Sequence, residues 1–159
     1  MGRGAALTPT IFRAWLAGVI AVASGQFAVA EDGPECFSKY TKFNACEAAR
    51  EIQSRMAPAL PSKISADVTA VNVVVFGPRL TLTALWKLTK ADFQDRMSAA
   101  GVTMGQMQNR MDQTTTNYVC STRDLSAFVR LRGEVQYVYR TTDGFQLFAP
   151  TVTSCPRPE

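Results

Sequence analysis

The core of the fold is predicted by residues 67–88, which read DVTAVNVVVFGPRLTLTALWKL. Residues 67–76 are rich in β-branched and apolar side chains, and residues 79–88 alternate between two faces. One face of this second run carries the larger apolar side chains: Leu80, Leu82, Ala84, Trp86 and Leu88. Gly77-Pro78 separates the two runs and is typical of a turn. The stretch therefore predicts a β-hairpin with one face in the core.

A second hairpin is predicted near the C terminus. Residues 134–140 form its first strand, Asp143-Gly144 its turn and residues 145–152 its second strand. In the first strand, Tyr137 and Tyr139 lie on one side. Two interpretations stay open: these tyrosines form an exposed interaction surface, or they pack between the sheet and the helices.

Helix-start patterns precede the remaining segments. The first predicted helix spans residues 45–57 and is capped by Asn44 with Glu47. The middle helical segment starts at Thr89-x-x-Asp92, is interrupted at Gly101 and ends near Thr114-Thr115-Thr116. The last starts at Ser121-x-x-Asp124 and is stopped by Gly133. The middle segment is either two short helices or one kinked helix. The order α-β-β-α-α-β-β predicts an α+β fold, in which an antiparallel sheet of about four strands carries the helices mainly on one face.

The first thirty residues have the composition of a secretory signal peptide. Two arginines precede an apolar run over residues 14–23, and Ala28-Val29-Ala30 matches the small-x-small pattern that signal peptidase cuts. A retained membrane anchor is the alternative, but the run is shorter than the ~20 residues that a span needs. We therefore expect cleavage near Ala30. Residues 31–159 would form one periplasmic or secreted domain without a membrane span.

The four cysteines all follow the predicted cleavage site, and they are Cys36, Cys46, Cys120 and Cys155. An even number in an oxidising compartment predicts two disulfides. Three pairings are possible, of which Cys36–Cys46 with Cys120–Cys155 is favoured. A metal site is not predicted, because the chain has no Cys-x-x-Cys motif and no His to complete a tetrahedral shell.

Composition argues against catalysis. The chain of 159 residues contains no His, which is the commonest general base and the partner in most nucleophilic sites. Asp92 and Asp95 are the alternative carboxylate pair, but they lie at a predicted helix start, where acidic residues are expected anyway. No phosphate-binding loop or other cofactor motif occurs, and the basic residues are not clustered as nucleic-acid binding requires. The sequence predicts a non-catalytic protein with no cofactor and no nucleic-acid partner.

The sequence contains two kinds of candidate binding surface. A stripe of methionines on the middle segment is either a pliable interaction surface or, as we favour, the buried side of a helix. The stripe consists of Met104, Met107 and Met111. Alternatively, the protein carries a small apolar ligand or lipid in a pocket lined by Trp86, Phe128 and Phe148.

The C-terminal half resembles a known group of proteins. The elements that carry the resemblance are Asn117-x-x-Cys120-Ser121, Leu125, Gly133, Tyr137-x-Tyr139, Asp143-Gly144 and Cys155. With them, residues 66–155 resemble small exported bacterial proteins of the quorum-sensing-regulated virulence factor family and, more distantly, the pilotins of type II secretion. The resemblance implies an α+β fold with a Cys120–Cys155 bridge and no known enzymatic activity.

The chain departs from pilotins in two respects: it lacks a lipidation cysteine and it carries the additional Cys36/Cys46 pair. Predicted export and the absence of a catalytic motif favour a protein-interaction, accessory or assembly factor. Its expected partner is another exported or envelope protein.

Overall fold

The structure, a computed structural model, describes residues 32–38 and 41–156. The helices over these residues are α1 (Ala45–Met56), α2 (Lys90–Ala99), α3 (Met104–Ser121) and α4 (Arg123–Arg130). The strands are β1 (Ser62–Lys63), β2 (Val68–Phe76), β3 (Arg79–Trp86), β4 (Glu134–Arg140), β5 (Gln146–Phe148) and β6 (Thr151–Val152). Within these ranges, no helix has the length and apolar character needed to cross a membrane. The predicted signal peptide, residues 1–30, lies outside the described residues.

The first predicted hairpin is confirmed. β2 and β3 pair antiparallel, with Phe76 opposite Arg79 across a turn in which Gly77 has a φ of 56°. A positive φ at this position suits glycine, which has no Cβ to clash with the backbone. Leu80 and Leu82 are buried, as the alternation predicts. This face of the hairpin packs against α1 and forms the centre of the core.

The prediction of an antiparallel sheet of about four strands is wrong. The described strands form a mixed sheet of six in the order β1-β2-β3-β4-β5, and β6 also pairs with β4. β3 and β4 are parallel, with Leu82 opposite Tyr137 and Ala84 opposite Tyr139. The chain leaves β3, passes through α2, α3 and α4, and then enters β4 in the same direction. Parallel neighbours require such a crossover, whereas a short turn can join only antiparallel strands.

The middle helical segment consists of two helices, one of the two alternatives that the sequence left open. They are separated at Gly101, which has a φ of 64°. The predicted capping box of Thr89 with Asp92 is present at the start of α2. A second capping box, formed by Thr103 with Gln106, starts α3. Each box satisfies backbone N–H groups that have no partner within the first helical turn.

The predicted end of α3 near Thr114-Thr115-Thr116 is wrong, because the helix continues to Ser121. Thr115 is only 2% exposed, and its hydroxyl lies 3.2 Å from the hydroxyl of Tyr139. Met111, Thr115 and Val119 are all buried along one side of the helix. Burial of this side outweighs the low helix propensity of threonine, which is a weak effect of tenths of a kcal/mol.

The predicted start and stop residues of α4, Ser121 and Gly133, each lie one residue outside the positions that have these roles, Thr122 and Arg132. The Ser121 hydroxyl does not cap the helix; it donates to the carbonyl of Tyr118 at 3.1 Å. At the other end, the residue with left-handed φ is Arg132 (77°), and the N–H of Gly133 closes the turn on the carbonyl of Phe128 at 2.9 Å. A Cβ built on Gly133 would collide with the ring of Phe128. A larger residue at 133 would therefore have to displace the buried ring of Phe128.

The last predicted strand is divided into β5 and β6, both antiparallel to β4. The break falls at Ala149-Pro150. Proline has no N–H to contribute to a ladder, and here its carbonyl accepts from the N–H of Tyr137 at 3.0 Å.

Two disulfides close the ends of the domain. Cys36 and Cys46 join the N-terminal turn to α1, and both are buried. Cys120 and Cys155 join the last turn of α3 to the C-terminal tail, and both are partly exposed. These are the two pairs that the sequence favours.

Candidate functional site

The candidate interaction residues of β4 are not on the surface. Tyr137 is 4% exposed and Tyr139 5% exposed, with their rings stacked at 5.9 Å. Burial raises the pKa of both phenols, because the charged form would lose its hydration. The proposal of an exposed tyrosine patch on β4 is therefore wrong, and the alternative of packing between sheet and helices describes both residues.

The methionine stripe belongs mainly to the interior. Met111 is buried, Met107 is partly buried, and Met104 alone of the three is well exposed, at 45%. A continuous methionine surface is absent from α3, as expected for the buried side of a helix.

The aromatic trio expected to line one pocket is not brought together. Trp86 and Phe148 each pack edge to face on Phe93, with ring centroids at 5.6 and 5.9 Å. Phe128 instead lies on α4 and lines a different cavity with Ile52.

An accessible concave surface lies where α1, α3 and the sheet meet, and the sequence did not predict it. Two adjoining cavities of about 300 and 260 Å³ share Met56 and Tyr118 in their walls. We call this surface the tyrosine groove, and its lining residues are Ile52, Arg55, Met56, Ala59, Leu60, Ser62, Lys63, Ile64, Ala70, Leu82, Tyr118, Thr122, Asp124, Leu125 and Tyr137. The buried sheet residues Leu82 and Ala70 form part of its floor.

Tyr118 is the main aromatic side chain of the groove that is open to solvent. Its position on α3 is three residues after buried Thr115 and one before buried Val119, which puts it at the flank of the packed side. The ring is 53% exposed, yet it lies perpendicular to the buried ring of Tyr137 at 6.2 Å. One edge of Tyr118 is thus held by the core while the rest remains accessible.

Charged side chains lie along the walls of the tyrosine groove. Arg55 and Asp124 line the larger cavity, and Lys63 lines the other. The ion pairs among the described residues are Arg50–Asp32 and Arg79–Glu134, so these three groove charges have no such partner there. An arriving ligand could therefore pair with either sign of charge at the edge of an apolar surface.

The groove continues along α1. A third cavity of about 220 Å³ separates α1 from α4 and shares Ile52, Arg55 and Asp124 with the larger groove cavity. Three concave sites thus follow one side of α1, which suits an elongated ligand better than a compact one.

The carboxylates considered for catalysis have structural roles or stand alone. Asp92 accepts from the backbone N–H of Thr89 at 3.2 Å and from its hydroxyl at 2.7 Å, and the hydroxyl contact is the main cause of the lowered pKa of Asp92. A general acid needs a raised pKa, which is the opposite shift. Asp95 is exposed on α2.

One group of potential metal ligands occurs in the described part of the chain. Asp32, Cys36 and Cys46 offer ligand atoms within 4.8 Å of one another. The two sulfur atoms are joined in a disulfide, and the Asp32 carboxylate is held by both terminal nitrogens of Arg50 at 2.9 and 2.8 Å. This arrangement suits a structural clamp and does not fit a metal, which needs thiolate sulfur.

Sequence reasoning missed Tyr118 and Met56. The available signal for Tyr118 was the spacing of Met111, Thr115 and Val119, which indicates one long buried helix side with Tyr118 beside it. The low helix propensity of the threonine triplet hides this signal, because it predicts a helix end before Tyr118.

These observations define a class: a disulfide-bonded α+β domain with helices on one face of a mixed sheet and a groove at the helix ends. Solved structures share the fold. EpsS, the pilotin of the type II secretion system of Vibrio vulnificus, has a TM-score of 0.55 at 11% identity, covering 72% of this chain and 94% of that chain. The Vibrio cholerae pilotin AspS has a TM-score of 0.52 at 14% identity, covering 69% and 88%.

A Pseudomonas aeruginosa protein assigned as secreted is similar to the same extent, with a TM-score of 0.53 at 12% identity over 67% of this chain and 87% of that one. No protein-family model and no curated protein matches the sequence. The structural neighbours confirm the resemblance to small secreted proteins and pilotins, and at these identities they show the fold.

Proposed function

We propose that this protein is an exported, non-catalytic accessory or assembly factor of the cell envelope, which binds a segment of another exported protein in the tyrosine groove. The observation that carries the proposal is the groove itself, where half-exposed Tyr118 stands over buried apolar side chains of the sheet. Aromatic residues supported in this way are typical anchors of protein interfaces.

Export is supported by three features of the chain. Residues 1–30 have the pattern of a cleavable signal peptide, and all four cysteines are paired in disulfides, which persist in oxidising compartments. The similar solved structures are a secreted protein and two type II secretion pilotins. The working form in this proposal is residues 31–159, acting as a single periplasmic or secreted domain.

The likeness to pilotins supports a task in secretion or envelope assembly, with one difference in anchoring. Bacterial lipid anchors are attached to a cysteine sulfur near the signal cleavage site. Cys36 is the first cysteine after the predicted site, and its sulfur is bonded to Cys46. The protein would therefore act without a lipid on Cys36.

The chemistry of the groove suggests an amphipathic partner segment. Its apolar side chains would pack against Met56, Leu60 and Tyr118, and its charged side chains would meet Arg55 or Asp124 on the walls. The row of cavities along α1 favours an extended or helical segment over a single side chain.

A non-catalytic role is supported by the residue inventory. The chain has no His, and the Asp92 carboxylate is engaged by Thr89 in the capping box of α2. The described residues therefore offer no evident pair of acid and base for hydrolysis.

The experiment is site-specific photocrosslinking in the intact bacterial envelope. A photoreactive phenylalanine analogue replaces Tyr118 in one variant and Phe76 in the other. Phe76 is the matched control because it is a large aromatic residue, 85% exposed, and does not line the groove. We expect a discrete adduct with one envelope protein from position 118 and no such adduct from position 76.

A substitution in the groove wall tests whether the partner binds in the tyrosine groove. Met56→Glu adds a charge to both cavities and should abolish the adduct from position 118. In purified components, Tyr118→Ala should lower partner affinity by roughly 30-fold, the effect of an interface anchor. An adduct that survives Met56→Glu, or that forms equally from position 76, would place the interaction elsewhere and overturn the proposal.

A further inference from the structure

The outer edge of β2 presents backbone groups that no described strand covers. β3 pairs with β2 along nearly its whole length, whereas β1 pairs with it only at Thr69 and Ala70. Among the strands that the structure describes, none lies beside residues 72–76 on this outer side. An open strand edge of this kind can take up a further strand through main-chain hydrogen bonds.

The register of the hairpin determines which backbone groups point outward. Phe76 and Arg79 close a two-residue turn, and hydrogen-bonded and non-hydrogen-bonded pairs alternate from there along an antiparallel ladder. Val73 and Val75 therefore direct their N–H and C=O groups away from β3. The carbonyl of Val73 accepts from the side chain of Gln53 at 3.1 Å, which agrees with this direction and covers that position. The open part of the edge is thus centred on Val75.

The solvent side of this edge is apolar and uncharged. Val74 is 44% exposed, and Phe76 is 85% exposed, more than any other large apolar side chain of the described residues. Both lie on the same face, because side chains two positions apart share a face of a strand. Residues 68–78 contain no charged side chain. Strand edges are commonly protected by lysine or another charge, and this one has no such protection.

We propose that two copies of this protein associate through this edge, with their β2 strands antiparallel across a two-fold axis at Val75. In this register each Val75 exchanges both backbone hydrogen bonds with its counterpart. Phe76 of one copy then lies directly opposite Val74 of the other copy, and the symmetry repeats the contact. Aromatic and β-branched side chains in opposite positions stabilise antiparallel strands.

The self-complementarity of the strand favours a second copy over a foreign strand. A two-fold contact brings the same surface of both copies together, so a charge near the axis would meet a like charge. Residues 68–78 avoid this repulsion because they are uncharged. The exposed Val74 and Phe76 flank the axis residue, so each covers the other across the interface. No residue from 72 to 76 lines the tyrosine groove, and the inference does not depend on the function proposed there.

The test is sedimentation velocity of the exported form, purified without reductant so that both disulfides remain closed. One strand from each copy makes a small interface, below about 1,200 Å². We therefore expect a monomer–dimer equilibrium in which the dimer fraction rises with protein concentration. Phe76→Ser removes the aromatic member of both contacts and should raise the dissociation constant by at least about 10-fold. Phe145→Ser is the control, because Phe145 is also an exposed aromatic residue but lies outside β2, and it should leave self-association unchanged.

Charge reversal distinguishes this edge from other contacts. A variant with Val74→Lys and Phe76→Lys places like charges opposite each other in both contacts, and so does a variant with Val74→Glu and Phe76→Glu. Each variant alone should stay monomeric, whereas an equimolar mixture should form heterodimers because opposite charges then face each other.

Hydrogen exchange in the unmodified protein supplies a second measurement. The N–H of Val75 should become more protected as the protein concentration rises. The N–H of Val74 is already paired within the hairpin, opposite Thr81, and its exchange should not depend on concentration.

Four results would overturn the proposal. They are a protein that stays monomeric up to about 1 mM, a dimer that Phe76→Ser does not weaken, a mixture of the two charged variants that does not associate, and a Val75 N–H whose exchange is independent of concentration. A photoreactive analogue at position 76 that crosslinks the chain to a different protein, and never to a second copy, would mean that a foreign strand occupies the edge and would equally overturn it. An adduct between two copies contains no second kind of protein, so it is distinguishable from the partner adduct expected at position 118.

Discussion

The buried hydroxyl pair of Thr115 and Tyr139 provides the sharpest test of how α3 is fixed on the sheet. The two oxygens lie 3.2 Å apart, and the residues are 2% and 5% exposed. Either hydroxyl left alone in the core loses its partner without regaining water. We expect Tyr139→Phe and Thr115→Val each to reduce the free energy of unfolding by about 1–3 kcal/mol.

The double variant is expected to cost less than the sum of the two single variants. Replacing both partners leaves no unsatisfied group, and Val keeps the β-branched shape of Thr while Phe keeps the ring of Tyr. The coupling energy should be at least about 1 kcal/mol. Urea unfolding followed by far-UV circular dichroism measures it, and unchanged m-values would show that the unfolded states are comparable.

A second pair supplies the control. Thr81 and Gln136 are joined at 3.4 Å across the parallel β3–β4 pair, but both are partly exposed. Thr81→Val with Gln136→Leu should therefore show a coupling below about 0.5 kcal/mol, because water satisfies whichever group is left. Simple additivity at Thr115 and Tyr139 would refute the reasoning that their hydrogen bond, rather than ring packing alone, fixes α3.

Three further predictions concern charge, redox state and backbone. Hydrogen bonds from Arg50 lower the pKa of Asp32 to about 2, so the stability that this carboxylate contributes is present above pH ~4 and is lost between pH ~4 and ~2. In Asp32→Asn the urea midpoint of unfolding should therefore vary less with pH over that range. A pH dependence equal to that of the unmodified protein would contradict the assignment. The Cys120–Cys155 bridge is partly exposed and closes 35 residues. Reductant should therefore open it before the buried Cys36–Cys46 bridge, and its opening should lower the free energy of unfolding by about 4 kcal/mol. Alkylation and peptide mapping would show the order of opening, and the reverse order would be inconsistent with the burial. Gly133→Ala should destabilise the protein by about 1–3 kcal/mol, because the added methyl group overpacks against the ring of Phe128. Gly105→Ala, which meets open space within α3, should stabilise it by about 0.5–1 kcal/mol. Thermal melts of both variants test this, and equal shifts in melting temperature would remove the steric explanation.

Local patterns were enough to predict the elements whose causes are local. The Gly77-Pro78 turn, the alternation of β3 and the Thr89 capping box each depend on residues within one turn or one strand. The end of α3 could not be predicted in this way. Its continuation past Thr115 depends on Tyr139, which is 24 residues further along the chain. Tertiary burial therefore decided the length of the helix.

Strand direction also depends on distant parts of the chain. The residues of β3 and β4 alternate equally well in a parallel or an antiparallel pair. The three helices between the two strands form a crossover on one side of the sheet, and this connection makes the strands parallel. The tyrosine groove has the same origin, because α1, α3 and the sheet contribute to its walls from distant positions in sequence. Sequence patterns identified buried and exposed faces without identifying which of them meet.

The groove end of α3 is constrained by a disulfide. Tyr118 lines the tyrosine groove and lies three residues before the end of α3. Cys120 is two residues beyond Tyr118, so its bridge to Cys155 holds the groove end of α3. A rigid anchor loses less entropy on binding than a mobile one. Opening this bridge should therefore weaken partner binding at the groove, and an unchanged partner affinity after selective reduction of Cys120–Cys155 would mean that the packing of α3 holds Tyr118 without the bridge.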